Sequence, residues 1–428
     1  MINKCIGLHC FEQYEKDFKE LCPDFDIYPT VINHKERIIA IGDIHGDMEL
    51  AINFLKLANL IEEVKINLSQ DIIEYQYNII INNDNSVGIT ENISKYKNNY
   101  KKNNYELVYR YYKINNDYYV KVILENNITR WFKWTGNDTY VVQVGDQIDR
   151  CRPYGNETCY NPKITKDDED SDLEIMLFYD SLDKIAMKYG GRVFSLLGNH
   201  EIMNVTEDMR YVSYKGLTEY SPERDLNDGL KIRTEKFKTI ISKKMACTRS
   251  TVLVIGDYLF VHGGIAQKLA FSYKLLDINS IIRKFLHGTL IKHTDLKTLL
   301  NSSRTSPLWY RKLAYIPPDI DNQEHRECNT LFKQTLNKIN KYNNIEISNV
   351  PVIQVKGMVI GHTPQFTVFG TGITTACNNR LIRTDIGASK AFDIFKDDLG
   401  PLNKSREPQV VEILTDLNNK ISTVKILK

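Results

Sequence analysis

No stretch of the 428-residue sequence approaches 18 uninterrupted apolar residues, so no membrane-spanning helix is expected. The first residues, MINKCIGLHCFEQYEKDF, lack the basic-then-apolar layout of a secretory signal, and a soluble, cytoplasmic protein is the expectation. Charge of neither sign dominates. A formal net charge of +2 gives no surplus with which to recruit nucleic acid or a membrane surface, and neither partner is expected. The eight cysteines include no CxxC pair, which argues against a thiolate zinc site. Their scatter makes reduced thiols the expectation, with Cys5–Cys10 and Cys151–Cys159 close enough in sequence to bridge. No internal repeat is present. What the sequence does have, 42% hydrophobic and 26% charged residues, is the composition of a globular protein with a proper core.

Residues 61–130 form a compositional island, with fourteen Asn, ten Tyr and neither Pro nor Cys. Its second half reads YELVYRYYKI, NND, YYVKVIL, ENN, ITRWFKW. Aromatic and β-branched runs broken by Asn/Asp clusters predict a small antiparallel meander. The first half, NLSQDIIEYQYNIIINNDNSVG, is hard to place, and an Asn-rich insertion without a role is the alternative reading. Residues 171–189 have helical spacing, with Leu173, Met176, Leu177, Leu182, Ile185 and Ala186 near one face, Ser171 as cap and Gly190-Gly191 as stop. Residues 204–250 are mixed and partly helical, and QVVEILTDLNNKISTVKIL reads as a hairpin. Strands alternate with helices over most of the chain, so the class is α/β or α+β with a β-rich insertion.

Five apolar runs end in similar chemistry. RIIAIGDIHGD places Asp43 and His45 beyond a strand, and VVQVGDQIDR places Asp146, Asp149 and Arg150 likewise. VFSLLGNHE gives Asn199 and His200, LVIGDYLFVHGG gives His262, and VKGMVIGHT gives His362. Ligands of α/β sheets gather beyond the carboxyl ends of strands, where loops bring distant segments together. Four of the nine histidines fall at these places. Carboxylate, imidazole and amide oxygen without thiolate suit two hard divalent cations, Mn, Fe or Zn. Asp146 has two oxygens with which to bridge such a pair, and neutral Asn199 adds a ligand without adding charge.

GDIHGD, GDQIDR, GNHE, HGG and the late GHT resemble the phosphoprotein phosphatase family of metallophosphoesterases, whose pattern is GDxHG, GDxxDRG, GNHE, HGG and a late His. WTGNDTYVVQVGDQIDR, LLGNHEIMNVTEDMRYV, SPLWYRKL and RLIRTDIGASKAF narrow the likeness to the Shewanella-like protein phosphatases, over roughly residues 36–60 and 131–415. The resemblance implies a β-sandwich flanked by helices (α/β/β/α), a single catalytic domain over 1–428 with residues 64–130 inserted as the β-meander. Carried over by motif, Asp43 and His45 would hold one metal, Asp146 would bridge, and Asn199, His262 and His362 would hold the second. Manganese is the ion expected to serve best in vitro.

The implied activity is metal-dependent hydrolysis of phosphate monoesters, with phosphoproteins as substrates and phosphoserine or phosphothreonine preferred. Two metals lower the pKa of a shared water and neutralise phosphate charge. His200 would protonate the leaving alkoxide, oriented by Asp149. Arg150 would clamp phosphate oxygens with its guanidinium fork, and Arg311 is the candidate for a second arginine. Glu201 is assigned to hydrogen bonds behind the ligands. Cys151 stands where the pattern has Gly, so the turn after Arg150 is expected to differ. The SAPNYC stretch of toxin-sensitive branches is missing, which implies poor inhibition by microcystin or okadaic acid. Two alternatives remain: a dinucleoside-polyphosphate or other nucleotide hydrolase, and a catalytically silent binding protein that recruits a protein partner through residues 64–130.

Overall fold

The computed structural model describes residues 8–97, 107–124, 128–318, 325–343, 354–395 and 400–428. Side-chain alternation in the strands explains how its layers form. In Arg37–Ile41, Ile38 and Ala40 face one apolar core while Ile39 and Ile41 face another. Val142 and Val141 divide in the same way on the neighbouring strand Tyr140–Gln143, as do Phe194 and Val193 on Arg192–Leu196. Alternate side chains of a strand point to opposite faces, so this sheet is covered on both sides.

Its spatial order is Arg249–Ser250, Arg192–Leu196, Tyr140–Gln143, Arg37–Ile41, Val410–Asp416, Ile421–Leu427. The first four strands run parallel, and the last two form the expected hairpin, whose first strand lies antiparallel to Arg37–Ile41. One face meets a second sheet, ordered Val31–Ile32, Val252–Ile255, Tyr258–Val261, Gly357–Ile360, Leu381–Arg383, Thr374–Ala376. The other face meets helices Met48–Leu57 and Asp172–Met187. Helices Leu275–Leu286 and Lys333–Tyr342 contribute to the core of the second sheet. Two facing sheets flanked by helices are the α/β/β/α arrangement that the sequence resemblance implies.

A third sheet, entirely antiparallel, has the order Ile61–Val64, Thr129–Trp134, Asp117–Ile123, Val108–Ile114, Ile72–Ile81, Val87–Lys95. Tyr111, Val120, Phe132 and Trp134 share a core with Phe54 and Phe178 of the two helices. Helix Asp172–Met187 is therefore buried against sheets on two sides, which explains why its apolar residues exceed one stripe. Ser171 sits at its cap position without a side-chain cap bond.

The expectation of reduced thiols fails. Cys22 bonds to Cys247, Cys151 to Cys159 and Cys328 to Cys377. Two of these pairs join segments 225 and 49 residues apart, which only the folded packing brings together. The Cys5–Cys10 pairing lies outside the described residues. Among the described residues no helix is long and apolar enough to cross a membrane.

Candidate active site

Neighbouring parallel strands of the first sheet run out into Gly42-Asp43, Gly145-Asp146 and Gly198-Asn199. From the second sheet, Tyr258–Val261 leads to His262 and its parallel neighbour Gly357–Ile360 leads to Gly361-His362. The loops turn sharply. His45, Asp146, Asp149 and His362 have φ of 50°, 55°, 74° and 68°, a left-handed backbone that side-chain-bearing residues adopt only where the surroundings enforce it. Glycines permit the close approach: a Cβ on Gly198 would collide with the Asp146 carboxylate, and one on Gly361 with that of Asp43.

Asp146 is the hub. Its Oδ2 lies 3.1 Å from His262 Nε2, 3.8 Å from His200 Nε2 and 4.0 Å from His45 Nε2. Asn199 Oδ1 is 3.0 Å from His262 Nε2, and Asp43 Oδ2 is 3.8 Å from His45 Nε2. The His362 amide donates to Asp43 Oδ2 at 3.0 Å. His262 Nδ1 donates to the Val144 carbonyl at 2.9 Å and His45 Nδ1 to that of Ile148 at 3.3 Å, which turns each Nε2 inward toward Asp146. All six residues expected to hold metal thus gather at one place.

Behind them stands a second network. His200 Nδ1 donates to Asp149 Oδ2 at 2.8 Å. Asp149 Oδ1 accepts from Asn204 Nδ2 at 2.9 Å, and Asn204 Oδ1 accepts from Arg233 Nε at 3.0 Å. Glu201 accepts from the amides of Gly198, Asp146 and Gln147 at 2.7, 3.1 and 2.8 Å, tying two of the strand-end turns together. Burial pushes the His200 imidazole down, but the Asp146 charge and the Asp149 hydrogen bond outweigh it, so its pKa lies above the ordinary value.

The donor set fits divalent cations. Ligand atoms of His45, Asp146 and His200 lie within 4.8 Å of one another, and so do those of Asp146, His262 and His362. Burial, with nearby Arg152 for His45 and Arg311 for His362, holds both imidazoles well below their usual pKa and hence neutral, the metal-binding form. Among the described residues, His362 Nε2 is buried without a hydrogen-bond partner, and so is Asp385 Oδ2. Burial, then the charges of Asp385 and Asp146, raises Asp43 well above the carboxylate range. Such crowded carboxylates call for positive charge among them.

The arginines differ from expectation. Arg150, expected as a phosphate clamp, is 1% exposed. It donates to Glu169 Oε1 at 2.6 Å, the Gly46 carbonyl at 3.1 Å and the Asp167 carbonyl at 2.8 Å. Both terminal nitrogens are thus engaged, while among the described residues its Nε has no hydrogen-bond partner. Arg311 does reach the site, donating through Nη1 to the His362 carbonyl at 2.7 Å and to Thr363 Oγ1 at 3.1 Å. Sequence reasoning missed Arg152, Asn204, Arg233 and Asp385. Asp385 follows strand Leu381–Arg383 in the layout of the other strand ends, a signal present in RLIRTDIG.

Hard cations held by such donors polarise phosphoryl oxygens and activate water, which places the chain among the metallophosphoesterases. Residues 36–366 match the family described as calcineurin-like phosphoesterase, and the chain belongs to that family. Uncharacterized protein R398 of Acanthamoeba polyphaga mimivirus is 35% identical over 274 residues, which is 58% of this chain and 99% of that protein. Shewanella-like protein phosphatase 2 of Arabidopsis thaliana is 26% identical over 436 residues, covering 93% of this chain and 80% of the relative. A solved structure of the cold-active protein-tyrosine phosphatase of a psychrophilic Shewanella species shares the fold, with a TM-score of 0.50 and 18% identity over 94% of this chain and 83% of that one.

Proposed function

We propose that the protein dephosphorylates phosphoproteins, with Asp43, His45, Asp146, Asn199, His262 and His362 holding two divalent ions around Asp146. When bound, such ions supply an acidified water nucleophile and neutralise phosphate charge. The chain's own residues do the rest. His200, held by Asp149, delivers a proton to the leaving oxygen. Serine and threonine alkoxides are poor leaving groups and need that proton most, which favours their phosphoesters as substrates. Arg311 stands on the His362 side as a phosphate contact. The observation that carries this reading is the 2.8 Å pairing of His200 with Asp149 directly beside the Asp146 hub.

A second reading, phosphotyrosine, draws on the aromatic rings beside the histidines. Tyr211 lies 5.1 Å from His200, Phe392 5.7 Å from His45 and Trp309 5.8 Å from His362, centroid to centroid. Flat walls of this kind suit an aryl ester.

The test is turnover by one purified preparation, supplied with Mn²⁺, of phosphoserine, phosphothreonine and phosphotyrosine peptides and of diadenosine tetraphosphate. Phosphopeptide turnover that disappears in Asp146→Ala supports the reading. Preference for the dinucleotide points to a nucleotide hydrolase, and no turnover of any of them points to a binding protein.

A further inference from the structure

We propose that Arg152, not Arg150, grips the phosphate group of the substrate, an assignment that rests on the phosphatase reading above. The reason begins with residue 151. Where the family pattern has a glycine, this chain has Cys151, bonded to Cys159 eight residues on. The Cys151 amide also donates to the Tyr211 carbonyl at 2.9 Å. The backbone is thus pinned from two sides at the very point where it leaves the Asp149–Arg150 turn, and the pinning sets where residue 152 emerges.

It emerges beside the histidines. The Arg152 guanidinium carbon lies 4.6 Å from the centre of the Phe392 ring and 5.5 Å from that of Tyr211. Phe392 in turn touches His45 and Tyr211 touches His200, with ring centres 5.7 and 5.1 Å apart. The cation is therefore wedged between two rings, each of which is in contact with a histidine of the site. Cation–aromatic contact fixes a long side chain without consuming its hydrogen-bond donors. Nη1 donates to the carbonyls of Asp149 and Cys151 at 3.1 and 2.8 Å, and no other Arg152 nitrogen is engaged among the described residues. Half-buried Arg152 therefore keeps one terminal nitrogen for a ligand, whereas both terminal nitrogens of buried Arg150 are engaged by Glu169, Gly46 and Asp167.

Charge agrees with this placement. Burial lowers the Arg152 pKa from its ordinary value, and Asp146, Asp149 and Asp385 are the anionic groups acting most against it. A guanidinium matches the shape and charge of a phosphate monoester. With Arg311 on the His362 side, phosphate would meet one arginine from each flank of the histidine cluster.

The experiment compares wild type, Arg152→Ala, Arg152→Lys and Arg150→Ala in kcat and KM on p-nitrophenyl phosphate, the inhibition constant of inorganic phosphate, and Tm. Arg152→Ala is expected to weaken phosphate inhibition about tenfold or more while keeping the wild-type Tm, with Arg152→Lys in between, since a point charge replaces part of the fork. Arg150→Ala is expected to lower Tm and to leave phosphate inhibition at the wild-type level. Wild-type phosphate inhibition in Arg152→Ala overturns the assignment while the phosphatase reading stands. The assignment falls in the same way if a stable Arg150→Ala loses phosphate inhibition as Arg152→Ala does. A metal-loaded wild type that hydrolyses no phosphate monoester overturns both.

Discussion

His200 Nδ1 and Asp149 Oδ2 stand 2.8 Å apart, and Asp149 is completely buried. With Asn204 on its other oxygen and the Arg233 guanidinium 3.6 Å away, the carboxylate has no freedom to turn, and the ring it holds presents Nε2 to the Asp146 hub. The proton delivery proposed for His200 matters most where the leaving group is worst. Asp149→Asn is expected to lower kcat on phosphoserine peptides by about 10²–10³-fold, and on p-nitrophenyl phosphate, which departs without help, far less. Equal losses on both substrates would remove His200 from the acid role.

Asp43, Asp146 and Asp385 crowd one buried volume, and the Asp43 carboxyl is raised by burial and by its neighbours' charges. Divalent ions relieve that repulsion. Chelation is expected to lower Tm, and readdition of Mn²⁺ at a hundredfold excess over its Kd to restore about 2.7 kcal/mol for each ion bound. Scanning calorimetry reads the shift, and elemental analysis of Asp146→Ala should find the bound ions lost.

In the chelated protein, Asp385 carries a pH signature. Burial lifts its pKa from 3.8 to about 6. The unfolded chain therefore gives up this proton first, and the native state loses stability as pH rises from about 4 to about 6. Asp385→Asn cannot ionise, so it should melt several degrees above the chelated wild type at about pH 7.5, with the gap closing below about pH 4. A gap independent of pH would assign the effect to packing.

The Cys22–Cys247 bridge closes a loop of 225 residues. Chain entropy sets a ceiling of roughly 5 kcal/mol on what such a link contributes. The double serine variant should unfold at lower denaturant, and recombinant yield should rise in an oxidising host compartment. An unchanged unfolding midpoint would show that the bridge is dispensable.

Gly198→Ala is the smallest change expected to abolish activity. The new methyl would collide with the carboxylate of Asp146, displacing the hub by the width of the clash. Retained ion content and turnover in this variant would show that the turn yields more easily than its packing suggests.

Much of the site was legible because its residues close apolar strands. Asp43, Asp146, Asn199, His262 and His362 each follow such a run, and parallel pairing carries their loops to one edge. The strands Val108–Ile114, Asp117–Ile123 and Thr129–Trp134 were legible for their aromatic and β-branched residues between Asn turns. Ile72–Ile81 and Val87–Lys95 were not, because neither alternates cleanly: the first mixes Tyr, Gln and Asn, and most of the second is solvent-facing. The engagement of Arg150 by its own surroundings was beyond sequence reasoning, because it depends on Glu169, nineteen residues away in the chain, meeting its guanidinium.

Strand Ile61–Val64 lies against Thr129–Trp134, and Arg130 forks onto Glu63 while reaching Glu49 of the adjoining helix at 2.5 Å. The backbone therefore departs from and rejoins the scaffold at a riveted seam, while Tyr111, Phe132 and Trp134 anchor the inner face of the outer sheet on Phe54 and Phe178. Variation there is transmitted to the helices behind the strand-end turns. The solvent-facing side chains, which make up most of Val87–Lys95, are the part of this sheet left free to drift.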